Sequence, residues 1–180
     1  PICDYLAKKR VGNHGLKIDF SGNAYCPARD ITGKLWNFQN ISTSPKLFRH
    51  GRMSGCFHVI EGNREQIIIT SGYATGASIH EATGLCVGVC FGDSNVLTVA
   101  KILKDAGWKG LLVAADNDSD GSNSGNKIAQ RACDELGLPA VMPDTPGDFN
   151  DAVLRGEKIY RYFYDTTPVF SFGELLGDNT

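Results

Sequence analysis

The sequence predicts an α/β protein: a parallel sheet flanked by helices, preceded by a small β-rich (α+β) subdomain. Three observations carry that expectation. From residue 66 to 142, short apolar runs alternate with segments of helical length, the pattern of βαβ units. Before residue 66, apolar and polar residues alternate in period two between turn signals. The 180 residues are 42% hydrophobic and 21% charged, enough for one domain with an appendage and its own core. The same composition argues against disorder and coiled coil.

The elements follow in order. Asp4–Arg10 reads as a short helix that stops near Gly12. Leu16–Phe20 alternates as a half-buried strand, and Ser21-Gly22-Asn23 is a turn signal. Ala24–Pro27, Leu35–Ile41 and Cys56–Ile60 are further strand candidates in this front part. Gln66–Thr70 is a β-branched run, as expected for a strand buried on both faces of a parallel sheet. Ala74–Thr83 then reads as a helix closed by Gly84, and Cys86–Phe91 as a second buried strand. Ser94–Ala106 is a second helix, with Ser94 as N-cap and Gly107 as the stop. Leu111–Ala115 is a third strand, Ser124–Leu136 a third helix ending at Gly137, and Pro139–Met142 a short fourth strand. The expected domains are residues 1–65, a basic β-rich subdomain; 66–165, the α/β domain; and 166–180, a polar, weakly ordered tail.

Charge divides along the same line. Residues 1–60 carry a net +6 and residues 61–180 a net −8. A basic front and an acidic back suit a protein that holds a polyanion on one side and metal ions on the other. No apolar run is long enough for a membrane span, and no secretory signal opens the chain. The absence of an initiator Met before Pro1 suits a processed product or an excised fragment. The six cysteines form no CxxC pair, so no structural zinc is expected. Reduced thiols in a cytoplasm are the expectation.

In an open parallel sheet, sites form beyond the carboxyl ends of the strands. The third strand runs into Asp116-Asn117-Asp118-Ser119-Asp120-Gly121. In extended backbone, Asp116 and Asp118 share one side, about 6–7 Å apart. No Lys or Arg follows within a few residues, so the pair repels, and a divalent cation removes that penalty; all-oxygen donors suit Mg²⁺. Gly121 and Gly125 allow close backbone approach to a phosphate at the next helix start. An EF-hand calcium loop fails, because its closing Glu position holds Lys127. A solvated turn that caps the helix is the competing structural reading. After the fourth strand, Asp148 and Asp151 either add acid to the same rim or cap a short helix.

These stretches resemble the Toprim family, the catalytic fold of DnaG-type primases, topoisomerases and some nucleases. The resemblance is nearest to plasmid-encoded primases of the TraC type and to related phage and mobile-element primases. Ile69-Thr70-Ser71-Gly72-Tyr73-Ala74-Thr75-Gly76-Ala77-Ser78 resembles the family's "EGYATA-S" first motif, continued by His80-Glu81-Ala82-Thr83-Gly84. Asp116-Asn117-Asp118 matches the family's DxD motif, and Gly147-Asp148-Phe149-Asn150-Asp151 its "DFND" element. Gly33–Gln39 and Gly55-Cys56-Phe57 resemble the β-rich segment that precedes Toprim in these primases.

The resemblance implies Mg²⁺-dependent RNA primer synthesis on single-stranded DNA, a step of DNA replication, with Mn²⁺ as the alternative ion. Asp116 and Asp118 would be the ligands, with Asp148 and Asp151 as further candidates. The partners implied are a single-stranded DNA template, nucleotides, and a helicase or other replication protein, in a bacterial cytoplasm with no membrane role. The basic front would hold the template through Lys34, Arg49 and Arg52. Tyr25, Trp36 and Phe38 could stack on bases or fill the core. One position departs from the pattern: Ser71 stands where the family has its catalytic Glu. A hydroxyl cannot replace a carboxylate as ligand or proton shuttle, so either turnover is impaired or another carboxylate has taken over. A non-catalytic Toprim module that binds nucleic acid or a protein partner is the first alternative, and a Toprim nuclease the second.

Overall fold

The computed structural model describes residues 3–49, 51–118 and 124–164. The expected tail at 166–180 and the Asp120-Gly121 part of the acidic loop lie outside the described residues. The front of the chain forms α1 (Asp4–Lys9) and a four-stranded antiparallel sheet. Its strands, in spatial as in chain order, are β1 (Lys17–Ile18), β2 (Ala24–Arg29), β3 (Leu35–Asn40) and β4 (Leu47–Phe48). Asp19 builds the first turn: its carboxylate accepts from the Ser21 and Asn23 amides, both at 2.9 Å, the local bonding that makes Asp a turn residue.

The second sheet has five strands in the order β5-β7-β6-β8-β9. They are β5 (His58–Ile60), β6 (Asn63–Thr70), β7 (Leu85–Val89), β8 (Leu111–Ala114) and β9 (Ala140–Val141). Strands β6 to β9 are parallel, as the apolar runs predict. Their connections are α2 (Tyr73–Thr83), α3 (Asp93–Asp105) and α4 (Ser124–Leu136), and α5 (Phe149–Leu154) and α6 (Arg161–Tyr164) follow β9. Side chains alternate between two cores. Ile68, Val87 and Leu112 pack with Tyr73, Phe149 and the front sheet's Ala24 and Cys26. Ile69, Val113 and Cys86 pack with Val99, Leu103 and Ala132 of α3 and α4. Each fully buried Ile or Val contributes about 1.5–3 kcal/mol, so the double-sided burial of β6 and β7 is a large local source of stability.

Three expectations need correction. The Cys56–Ile60 segment meets the front sheet at one bridge, Phe57 to Arg29 of β2, but its strand, β5, pairs antiparallel with β7 and forms the edge of the second sheet. The Asn95 amide draws it there, donating to the carbonyls of Cys56 at 2.8 Å and Cys90 at 2.9 Å. The second buried strand ends at Val89, because Phe91 adopts a left-handed backbone (φ +68°). Helix α3 therefore starts one residue before Ser94, with Gly92 as N-cap. All six cysteines are buried and free of disulfides.

Strand β6 leaves toward β7 through α2 on one face. The chain then crosses to β8 through α3 on the other face. The carboxyl ends of β6 and β8 thus flank the point where the strand order reverses, which is where ligands bind in such sheets. Close packing fixes this corner. A Cβ on Gly125, in the first turn of α4, would lie 1.8 Å from the Asp116 carbonyl oxygen. Helix propensity alone favours Ala there by about 1 kcal/mol, but the clash is with backbone and cannot relax cheaply. Gly125→Ala should lower unfolding free energy by about 3 kcal/mol or more in denaturant titrations. Gly33→Ala, at φ +83° in open space, should cost only about 1–2 kcal/mol, the backbone penalty alone.

Candidate active site

Ser71 follows directly on β6, whose last residue, Thr70, pairs with Val89 on one side and Ala114 on the other. Two residues beyond Ala114 stands Asp116. The chain then makes a short antiparallel contact: the Asn117 amide donates to the Gly147 carbonyl at 3.0 Å, and the Gly147 amide donates back to the Asn117 carbonyl at 2.8 Å. The Asn117 side chain adds a bond to the Pro143 carbonyl at 2.9 Å. This lacing sets the acidic loop beside the start of α5, so that the charges of Asp148 and Asp151 reach Asp116.

Asp118 points at the start of α4. Its Oδ2 accepts from the Gly125 amide at 2.8 Å and from Ser124 Oγ at 2.9 Å, which satisfies an otherwise open helix-terminal donor. Asp116 has no such support. Its Oδ1 is buried and has no hydrogen-bond partner. Burial is the main cause that pushes its carboxyl up to about 7, and the charges of Asp148, Asp93, Asp118 and Asp151 add to the shift in that order. Asp148 and Asp151 form a capping box on α5, Asp148 Oδ1 accepting from the Asp151 amide at 2.8 Å and Asp151 Oδ2 from the Asp148 amide at 3.3 Å. They therefore do both things the sequence allowed: they cap the helix and charge the rim. Asn150 is structural, its buried amide donating to the Lys9 carbonyl at 2.8 Å and Ser78 Oγ at 2.9 Å.

The loop's own sequence offers the acids no counter-charge, but the fold brings two lysines to the rim. Lys9 Nζ lies 3.9 Å from Asp151 Oδ1. The Lys46 ammonium sits 5.8 Å from the centre of the Tyr5 ring. Burial of that ammonium and the charge of Lys9 lower its pKa, while Asp148 and Asp116 pull it up. Among the described residues, no three His, Cys, Asp or Glu side chains converge tightly enough to hold a metal. The rim nonetheless suits a hard divalent cation. Its donors are all oxygens, one of them buried and unpartnered, and Mg²⁺ commonly takes only one or two carboxylates and keeps several waters.

The front sheet presents a different surface. Ala24, Cys26 and Ala28 of β2 point inward, while Tyr25, Trp36 and Phe38 are half-buried on the outer face and do not fill the core. Lys34 Nζ and the Arg52 guanidinium lie 4.1 and 4.3 Å from the Trp36 ring centre, and Arg49 lies 6.0 Å from that of Phe38. Tyr25, Phe38, Arg29, Arg49, Arg64 and Trp108 line an open groove of about 880 Å³ that runs from this face to the β5 edge. The three basic residues singled out in the sequence thus gather on one face. The groove was not foreseen, because it joins residues 25–38 to Trp108 across two sheets.

The Toprim domain family matches residues 66–158. The chain belongs to this family. Two proteins named DNA primase TraC, both from Escherichia coli, are 32% and 30% identical to it over 154 residues. The match covers 77% of this chain but only 14% and 11% of those relatives. Among solved structures, the primase fragment of the bacteriophage T7 primase-helicase protein superposes with a TM-score of 0.59 at 14% identity, covering 89% of this chain and 70% of that one. The DnaG catalytic core gives 0.60 at 12% identity, covering 84% and 67%. Identities this low establish a common fold. No helix among the described residues is long and apolar enough to cross a membrane.

Within this Toprim domain, sequence reasoning missed Asp93. It lies in the first turn of α3, and its Oδ2 accepts from Ser124 Oγ at 2.9 Å. Its bonding partner is 31 residues away, and no motif spacing signals it.

Asp116 links the site to stability. In the unfolded chain its carboxyl titrates at the ordinary value of 3.8, and in the folded chain near 7. Between those pH values the unfolded chain releases a proton that the native state keeps. Stability should therefore fall as pH rises through this window and level off above it, by up to about 4 kcal/mol. Asp116→Asn should flatten that slope. At about pH 8 it should be more stable than the parent by about 1–4 kcal/mol, with little difference at about pH 4, in urea unfolding curves.

Proposed function

We propose that this chain is the core of a plasmid- or phage-type primase, built for Mg²⁺-dependent RNA primer synthesis on single-stranded DNA. One observation carries the reading: Asp116 keeps a buried, unpartnered carboxylate oxygen among other acids at the topological switch point. Asp116 and Asp118 would hold Mg²⁺ or Mn²⁺, with Asp148 and Asp151 beside them, and the bound ion would neutralise and orient the phosphates for nucleotidyl transfer. The chain's own groups do the rest. The Gly125 amide and Ser124 hydroxyl fix the Asp118 carboxylate. Lys46 and Lys9 place positive charge at the rim, where a triphosphate would need it.

The outer face of the front sheet fits the template. Lys34, Arg49 and Arg52 supply phosphate contacts, and Tyr25 and Phe38 supply stacking faces. Trp36 is less available, since Lys34 and Arg52 already lie against its ring. A helicase or other replication protein belongs to the same proposal. The T7 primase fragment comes from a primase-helicase protein.

Ser71 supports a second reading, a Toprim module that binds nucleic acid or a protein partner without turnover. A nuclease would share the acids but not need the basic, aromatic face. Primer-synthesis assays separate the three. Ser71→Glu should raise primer yield at least about tenfold, and Asp116→Ala should abolish what the parent makes. If Ser71→Glu stays silent while DNA still binds, the non-catalytic reading stands. Cleavage of labelled DNA with Mg²⁺ and no nucleotides would establish the nuclease. Tyr25→Ala and Arg49→Ala should each weaken single-stranded DNA binding about 5- to 50-fold in fluorescence anisotropy. For Arg49→Ala the salt dependence should also become shallower.

A further inference from the structure

We infer that Phe48 and Phe91 form the wall against which the base of a bound ribonucleotide stacks, with the phosphates of that nucleotide lying toward Lys46. The inference rests on reading the acidic rim as a nucleotide site and adds where the base goes. Phe48 stands in β4 and pairs with Gln39 of β3, which is buried. Cross-strand partners share a face, so Phe48 belongs to the inner face of the front sheet, opposite Trp36 and Phe38. It is nonetheless 44% exposed, so its ring is open to a ligand. Across the gap it meets Phe91, edge to face, with ring centres 6.5 Å apart.

Phe91 follows β7 and packs against the core that holds Val89 and Ala114. Asp116, two residues beyond Ala114 along the same extended chain, shares that face. Phe91 adopts a left-handed backbone (φ +68°). For a bulky side chain this conformation is rare and costly, and it persists where the surroundings enforce it, commonly beside a ligand site. Asn95 enforces it here. Its Oδ1 accepts from the Gly55 amide at 2.8 Å, and its Nδ2 donates to the carbonyls of Cys56 at 2.8 Å and Cys90 at 2.9 Å. These bonds tie the segment before β5 to the residue before Phe91. The pocket between them has about 230 Å³ and is lined by Phe48, Met53, Ser54, Phe91 and Ser94. Sites that enclose a whole drug-sized ligand have roughly 300–1,000 Å³. This smaller pocket suits one planar ring system, and Asn95 forms its wall in advance, which lowers the ordering cost of binding.

The spacing fits a nucleotide. In the order β7-β6-β8, strands lie about 4.8 Å apart, so the ends of β7 and β8 stand about 10 Å apart. A nucleoside triphosphate spans such a distance between its base and its outer phosphates. Lys46 and Phe48 are alternate residues of one extended segment, on the same side and about 6–7 Å apart. The Lys46 ammonium feels the charges of Asp148 and Asp116, while Phe48 stands at Phe91. One segment thus presents a cation and a ring along the same cleft.

A purely structural contact between the two rings would change stability and leave binding alone. The test uses the full chain, Mg²⁺ and the triphosphate of 2-aminopurine riboside, whose fluorescence falls when its base stacks. The parent should bind and quench this probe. Phe48→Ala, which removes an exposed ring, and Phe91→Leu, which keeps apolar bulk, should each weaken binding about 5- to 50-fold and relieve the quench. In calorimetry, inorganic tripolyphosphate should bind the parent and both variants within about twofold, because it has no base. Lys46→Ala should weaken the probe and tripolyphosphate alike. If both Phe variants keep affinity and quench within about twofold of the parent, the pair is a packing contact and the inference is wrong, while the nucleotide reading stands. If they leave the free nucleotide unchanged but relieve quenching of 2-aminopurine placed in single-stranded DNA, the pocket takes a template base and the assignment to the nucleotide falls. If the parent binds neither the probe nor tripolyphosphate at millimolar concentration, the nucleotide reading of the rim fails and takes this inference with it.

Discussion

Two backbone hydrogen bonds between Asn117 and Gly147 hold the acidic rim together. Carboxylates at this density repel, and nothing in their own chemistry would gather them. The fold does it by spending interactions elsewhere. Strand β8 is buried on both faces, so Asp116 cannot retreat along its own strand. The Asn117–Gly147 pair draws the start of α5 against it, and Phe149, fully buried among Tyr73, Tyr162 and Phe163, anchors α5 in the core. Asn150 ties the same helix to α1 and α2. On the other side, Gly125 lets α4 approach the Asp116 backbone more closely than any side chain would permit. The rim is thus a region where packing energy offsets electrostatic cost, as is usual where a site has to be pre-organised.

Much of this was legible in the sequence, and the reason is locality. The β-branched run at 66–70 and the glycines at 84, 107 and 137 mark strands and helix ends through short-range sterics, and all three glycines adopt left-handed backbone in the structure. Asp116 and Asp118 are neighbours along one strand end, so a two-residue period was enough to pair them. What was not legible depends on distant partners. Segment 56–60 has the alternation of a front-sheet strand, but its main pairing is with β7, and Asn95, some forty residues later, bonds its first carbonyl. The pairing of Asp93 with Ser124 and the counter-charge from Lys46 likewise exist only once the chain is folded.

The front sheet shows the limit of pattern reading in another way. Strand β3 alternates as expected, yet with polarity inverted: Asn37 and Gln39 are buried, while Trp36 and Phe38 stand on the outer face. The inward amide of Asn37 is satisfied locally, donating to the Gly51 carbonyl at 3.0 Å and accepting from the Phe38 amide at 2.8 Å. The small residues of β2, Ala24, Cys26 and Ala28, meet the core instead. Period alone fixes which residues share a face. It does not say which face is inside. The result is a sheet that keeps its aromatic and cationic groups at the surface, where they remain available to a polyanion with stackable bases.

One short loop brings the front sheet's charge to the rim. The segment between β3 and β4 belongs to the front sheet, yet Lys46 carries its ammonium toward Asp116 and Asp148. A strand of nucleic acid lying along the outer face and a phosphate arriving at the rim would both approach this loop. The neutral Ser71 matters in the same balance. A glutamate there would add a further charge beside an Asp116 whose pKa is already high, and so raise the electrostatic cost of the empty rim. With serine at 71, that cost falls, and the remaining acids retain their geometry through caps and amide contacts that do not involve the first motif.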